Sequence, residues 1–318
     1  MATRFEFVLA GDNPVALRAA GEEAFEEVDR IESQLSLYRS GSEIAHVNAN
    51  ASYRPVRVSP MTFALLEKAR VFWELSGGAF DVTVAPLVRC WGFIKGSGSR
   101  PSDEQIAQAR EVVGMQFLEL NAEQSTVRFK RAGMMLDLGS IGKGYALDAA
   151  AEILRDAGVE NALLHGGTST IYGLGEDVDG PWKIAIDEPV KPGTTAPEPP
   201  PPAPKTLAVI ELREQALSVS AVWGKFFEVD GKMFGHVIDP RSGWPTRNAL
   251  LACVVVDSAT DSDALSTAVL LGSPSELERI SGSHTGLSYL QARWNGAEIE
   301  YSSKDIQLRH CGAGEGAP

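Results

Sequence analysis

The sequence predicts an α+β unit in which antiparallel sheets are flanked by helices, with a proline-rich insertion on its surface. Three observations predict this. Several long segments repeat apolar residues at helical spacing. Shorter segments alternate apolar and polar residues, and two of them enclose an Asp-Gly or Asn-Gly pair, the usual signal for a hairpin. The run between Val190 and Thr206 holds too much proline for a helix or a strand ladder, so it must be extended chain.

In chain order, residues 3–9 alternate and read as a strand. Residues 13–39 read as a long helix, with Ala16, Ala20, Phe25, Val28, Ile31 and Leu35 along one stripe. Residues 59–76 form a second amphipathic helix, capped by Ser59 with Pro60 in its first turn. A short helix is expected over 103–113. Residues 126–129 and 134–136 are expected to pair as strands around Arg131-Ala132-Gly133. Residues 144–157 form a helix that Gly158 stops. Short strands follow at 161–164 and 182–186. Hairpins are expected over 226–238, turning at Asp230-Gly231, and over 287–301, turning at Asn295-Gly296, with a helix over 261–271 between them. The insertion interrupts one α+β unit spanning 1–310 and does not divide two domains, and the Gly/Ala-rich tail 311–318 is expected to fray.

The chain has 318 residues, 44% hydrophobic and 22% charged, with a formal net charge of -13. That balance suits a globular core. It argues against nucleic acid as a partner, because a phosphate backbone needs a basic face. An anionic ligand would need a local positive source: a metal, a lysine or a helix N-terminus. Cys90, Cys253 and Cys311 are too scattered for a metal cluster or a disulfide framework. No apolar run reaches the roughly 18 residues a membrane span needs. The first residues lack a basic start and an apolar run, so no signal peptide is expected in this chain, which leaves a cytoplasmic location open.

Four segments carry candidate chemistry. Gly77-Gly78-Ala79-Phe80-Asp81-Val82-Thr83 follows a helix. Its glycines allow a tight turn and close ligand approach, and Asp81 could accept hydrogen bonds, although a helix C-cap with a solvated Asp fits as well. Asp137-Leu138-Gly139-Ser140-Ile141-Gly142-Lys143-Gly144-Tyr145 runs from strand through a glycine-rich turn into a helix. Such a turn presents N–H groups and a dipole end to an anion, and Lys143 adds charge. It is not a Walker loop, and a plain connection with a solvated lysine is the alternative. On the helix over 261–271, Asp263, Ser266 and Thr267 share a face. One carboxylate and two hydroxyls are hard oxygen donors that suit Mg2+, although taken alone the segment is better explained as an acidic first turn favoured by the helix dipole. Finally, the strand after Asp230-Gly231 delivers His236 before the turn Asp239-Pro240-Arg241-Ser242-Gly243, where it could take a proton from an attacking hydroxyl.

Taken together and in order, these segments resemble the ApbE family, the FAD:protein FMN transferases. Met1-Ala2-Thr3 looks like its Met-Gly-Thr start, and Ser36-Leu37-Tyr38 with Ser42-Glu43-Ile44 and Asn48 is similar to a further family segment. The runs 77–83, 137–145, 236–243 and 263–267 match its G-G-A-F-D-x-T, D-L-G-x-[IV]-x-K-G-Y, H-I-I-D-P-x-T-G and aspartate-x-x-[SA]-T patterns, with Val237 and Ser242 as mild substitutions. The resemblance implies a T-fold-related mixed α/β unit. It also implies FAD contacts from Met1, Tyr38, Ala79, Phe80, Asp81, Asp137, Lys143, His236 and Val237. Mg2+ would be held by Asp263, Thr267, Ser266 and the Ser140 carbonyl.

The implied reaction attacks the FAD pyrophosphate with a Thr or Ser hydroxyl of a redox protein, with His236 as base, leaving FMN on the protein and releasing AMP. The family expectation adds a membrane-bound or exported target, a location in the periplasm or cell envelope, and a monomer or homodimer. Two segments depart from the family. Gly166-Gly167-Thr168-Ser169-Thr170 lacks an acidic group, and Ser218-Val219-Ser220-Ala221 lacks a glycine. Two rival functions share the same residues: an FAD pyrophosphatase that uses water, and a non-catalytic FAD-binding protein.

Overall fold

The computed structural model describes residues 3–94, 96, 98–189, 205–222, 226–229 and 232–309. The first half runs β1 (Phe5–Ala10), α1 (Pro14–Leu35), α2 (Glu43–Asn50), β2 (Val56–Arg57), α3 (Pro60–Leu75), α4 (Ala85–Cys90), α5 (Asp103–Arg110), β3 (Leu118–Asn121) and β4 (Thr126–Phe129). Then come α6 (Gly142–Asp156), β5 (Asn161–Gly166), β6 (Thr170–Leu174), β7 (Trp182–Asp187), β8 (Thr206–Leu212) and β9 (Gln215–Ala221). The chain closes with β10 (Phe226–Val229), β11 (Lys232–Gly235), β12 (Ala249–Val256), α7 (Ala259–Leu271), α8 (Pro274–Ser283), β13 (Ser288–Trp294) and β14 (Ile299–Lys304).

The expected α+β class holds. Seven strands form one sheet in the order β1-β5-β6-β9-β12-β13-β14, and each neighbouring pair is antiparallel. Alternate residues of its strands feed two cores. Ala162, Leu164, Tyr172 and Val254 pack with α1, α6 and α7 on one face. Ile171, Leu217, Cys253 and Val255 pack with the β7–β8 hairpin on the other. A third cluster joins Leu87 of α4, Trp91 just after it, Ile106 of α5, and Phe234 and Ile238 around the end of β11.

The caps and stops follow the sequence. Ser59 accepts from the Thr62 N–H at 3.3 Å, and Gly158 adopts φ +79° after α6, where a Cβ would be strained. The hairpins at 230–231 and 295–296 form, although the first turn itself lies outside the described residues, as do Met1, most of the proline-rich insertion and the tail. The insertion joins β7 to β8, which pair antiparallel.

One expected pairing is wrong. β4 pairs with β3 and β2, and residues 134–136 form no strand. The side chain of Asn48 stands in for a partner strand there. It accepts from the Leu136 N–H at 2.7 Å and donates to the Leu136 carbonyl at 3.0 Å.

The helix α7 positions the candidate chemistry. Eleven of its residues are buried, on every side, so it is a central helix and not an amphipathic one. It approaches α6 so closely that a Cβ on Gly144 would fall on the Ala259 backbone. Only glycine permits that contact. Asp148 of α6 seals the joint, accepting from the N–H groups of Ala259 and Thr260 and from the hydroxyls of Ser258 and Thr260, at 2.6 to 2.9 Å. No helix among the described residues is long and apolar enough to cross a membrane.

Candidate active site

A cleft of about 630 Å³ opens between α7, the start of α6, the end of β9 and the segment after β11. Tyr38, Ala79, Asp81, Asp137, Ser140, Lys143, His236, Val237, Asp263 and Thr267 all line it. Ten of the residues singled out from sequence, drawn from five separate stretches of chain, thus meet on one surface. A second, smaller cleft continues past Tyr38, Asp137 and Lys143 toward Thr3 and Leu35. Two expected residues face elsewhere. Phe80 is fully buried, edge-on to Phe72 with ring centroids 6.0 Å apart. Ser266 is buried under the cleft wall, donating to the Asp263 carbonyl at 2.9 Å and sharing a hydrogen bond with Ser220 at 2.8 Å.

Asp263 is the centre of the charged wall. It is 4% exposed and is the fifth residue of α7, so it is not the polar first-turn residue that the sequence also allowed. Its Oδ1 meets the Lys143 ammonium at 2.8 Å and the Thr170 hydroxyl at 3.3 Å. Its Oδ2 accepts the Gly144 N–H at 3.1 Å. The α6 N-terminus therefore does hold an anion, as its dipole favours, but that anion is the protein's own carboxylate. The neighbouring amides are also engaged: Gly142 N–H on the Leu138 carbonyl at 2.8 Å, Gly139 N–H on Asp137 Oδ1 at 2.9 Å. The expectation of a row of free N–H groups at this turn is corrected accordingly, and Lys143 is the main positive group facing the cleft.

Two further carboxyls line the cleft. Burial pushes the Asp137 pKa up, opposed by the Gly139 N–H and the Lys143 charge. Asp81 follows Gly77 and Gly78, whose φ of +63° and +82° turn the chain after α3. They are a helix stop and a site-builder at once. Asp81 is 5% exposed, and its Oδ1 accepts the N–H and the hydroxyl of Thr83 at 2.7 and 2.6 Å. Burial still outweighs these bonds and pushes its pKa up to about 6.

The sign of the consequence is fixed. Between the ordinary carboxylate value and about 6, the folded chain keeps a proton that the unfolded chain has lost, so stability falls as pH rises through that window. The Asp81 contribution should fall by roughly 2 kcal/mol from pH 4 to pH 6.5. Urea unfolding of wild type and Asp81→Asn at both pH values reads it as a difference. Parallel pH dependence in the two proteins would mean that Asp81 ionises normally.

The segment bearing His236 is braced from three sides. Thr246 N–H donates to the Val237 carbonyl at 3.0 Å, and Ile238 bridges Pro245. Trp91 Nε1 donates to the Gly243 carbonyl at 2.9 Å. Arg241 clamps Asp239 through Nε and Nη2 at 2.9 and 2.7 Å, reaches Glu276 of α8 at 2.8 Å, and caps the Leu271 carbonyl at the end of α7 at 2.9 Å. The histidine wall is thus tied to the helix that carries Asp263.

Sequence reasoning missed the hydroxyls across the cleft. Thr168 and Ser169 line it, and Thr170 and Ser220 reach Asp263 and Ser266 from β6 and β9. They stood out in sequence only as departures from the family pattern. Alternation could have placed Thr170 and Ser220 on the face toward α7, had β6 and β9 been recognised.

An antiparallel α/β fold whose cleft gathers a buried carboxylate, an ammonium, a bank of hydroxyls and a braced histidine presents the active site of an enzyme. The ApbE family model matches residues 1–290, and the chain belongs to that family of transferase enzymes. A relative from Vibrio cholerae, an FAD:protein FMN transferase, is 32% identical over 255 residues, covering 77% of this chain and 72% of its own. The apo crystal structure of the Pseudomonas stutzeri flavinyl transferase ApbE is 29% identical, with a TM-score of 0.78 over 95% of this chain and 90% of its own. The ApbE protein of Thermotoga maritima is 28% identical, with a TM-score of 0.81 over 94% of each chain.

Proposed function

We propose that this chain moves the FMN half of FAD onto a Thr or Ser hydroxyl of a partner redox protein and releases AMP, with Mg2+ bound in the cleft. The observation that carries this is Asp263: a carboxylate sealed among hydroxyls in a cleft wall, with a lysine ammonium as its counter-charge. The donor set fits Mg2+. Asp263, Thr267 and Ser140 line one wall and offer only hard oxygens. Among the described residues no three His, Cys, Asp or Glu cluster as a metal cage. That agrees with an ion held by one carboxylate and sharing its remaining sites with substrate phosphates. When bound, Mg2+ supplies charge neutralisation at the diphosphate.

The chain's own residues do the rest. Lys143 places a positive charge at the junction of the two clefts, where an extended diphosphate ligand would lie. Asp81 and Asp137 offer acceptors for the polar edges of the dinucleotide, and Tyr38 offers a ring at the mouth. His236 accepts the proton of the attacking hydroxyl. That oxygen bonds to the phosphorus of the FMN half, the bridging P–O bond breaks, and AMP leaves with the bridging oxygen. The bracing of the His236 segment through Arg241 keeps base and phosphate in one geometry.

The test is a single incubation with FAD and Mg2+, with and without a peptide that carries a Thr. Flavin on the peptide, matched by AMP, supports transfer. AMP released without the peptide, and no flavin on the peptide when present, makes the enzyme a pyrophosphatase instead.

A further inference from the structure

Asp263 holds a charge almost out of water, and a buried carboxylate must be neutralised by a neighbour. Lys143 does this, and its side chain is itself only 17% exposed. The rest of the joint is rigid. The α6 and α7 backbones touch at Gly144 and Ala259. The carboxylate is gripped on both oxygens by groups that need not move, the Gly144 N–H and the Thr170 hydroxyl. The mobile part is the lysine arm, four flexible carbons ending in a point charge. Its ammonium also donates to the Gly139 carbonyl at 3.0 Å and borders both clefts. A metal ion and this ammonium repel each other, so they compete for the same carboxylate oxygen.

We propose that Lys143 is an exchangeable counter-ion. It neutralises Asp263 until metal and diphosphate arrive together, then yields the carboxylate to the metal and turns its charge to the diphosphate. The exchange makes metal and diphosphate binding mutually dependent, because each removes the obstacle to the other. It rests on the metal and diphosphate reading above.

The experiment titrates Mg2+ calorimetrically into the intact chain alone, with saturating ADP as a diphosphate that cannot donate FMN, and with AMP, each run corrected by the same titration into nucleotide without protein. In the wild type, ADP should tighten Mg2+ binding by about tenfold or more, and AMP by far less. In Lys143→Met, Mg2+ alone should bind more tightly than in the wild type, and the added effect of ADP should drop below about threefold. Should that variant fail to fold, Lys143→Gln keeps a donor for Asp263 without the charge and should behave alike. There, Mg2+ should raise the melting temperature more than it does in wild type. Equal coupling in wild type and variants, or Mg2+ binding in wild type without coupling, overturns the exchange and leaves the metal reading standing. No Mg2+ binding under any of these conditions overturns the metal reading and the exchange with it.

Discussion

Replacing His236 with alanine should lower flavin transfer to a Thr peptide by about 10² to 10⁴-fold, the usual contribution of a positioned general base. FAD binding, followed by flavin fluorescence, should fall far less than transfer, because His236 is one of many residues expected to contact the dinucleotide but the one proposed base. The side chain sits at the bend after β11, on a segment whose backbone is held by Thr246, Pro245 and the Arg241 clamp. These contacts are made by the backbone and by Arg241, and they should hold the segment in the variant. Free imidazole in the assay should restore part of the rate, since the truncation leaves room in the cleft. A variant that transfers flavin at the wild-type rate would remove His236 from the chemistry. A variant that loses FAD binding to the same degree as transfer would make it a binding residue.

Much of the fold was legible because its local signals agree with its global packing. The β10–β11 and β13–β14 hairpins carry Asp-Gly and Asn-Gly at their turns, and α1 and α3 bury one stripe each, although Ala16 and Phe25 of the expected α1 stripe are exposed and Gly21 and Ala24 are buried instead. The illegible parts share a physical cause. β12 is buried at all eight positions, so it shows no alternation, and an apolar run of that length does not distinguish strand from helix. β6 is buried at all five of its positions and is hidden for the same reason. Residues 134–136 look like a strand, yet their backbone partner is the side chain of Asn48, 88 positions away in sequence. Pattern cannot foresee a substitution of side chain for strand.

The site divides in the same manner. Residues that line the cleft from turns, such as Asp81, Ser140 and His236, were marked by glycine and proline punctuation around them. The hydroxyls of Thr170 and Ser220 come from strands whose positions were not legible, and their role depends on what faces them across the sheet. Burial was the other hidden quantity. Asp263, Ser266 and Thr267 at the start of a helix look like an ordinary polar first turn until α7 proves to be enclosed on all sides. The same enclosure separates Ser266, turned under the wall toward Ser220, from Thr267, which faces the cleft.

Asp263→Asn should have the largest effect of any substitution in the charged wall. The amide keeps the size of the carboxylate and one accepting oxygen, but loses the charge. Mg2+ binding beyond that of ADP without protein should disappear from calorimetry, since the other donors proposed for the ion, from Thr267 and Ser140, are neutral. Neutralising a diphosphate as its bond breaks is worth several kcal/mol, so transfer should fall by about 10³-fold or more.

Stability separates this from simple misfolding. Truncating a buried ion pair strands the partner, which here would be the Lys143 ammonium. That ammonium borders the open cleft and keeps the Gly139 carbonyl as an acceptor, so it can turn to water. The variant should therefore melt only moderately below wild type while losing nearly all transfer. Asp263→Glu, which restores the charge on a longer arm, should regain Mg2+ binding in part if the cleft can take the extra methylene beside Gly144 and Thr170. Full transfer by Asp263→Asn at ordinary Mg2+ concentrations would move the metal away from α7 and leave the Lys143–Asp263 pair as a purely structural bond between two helices.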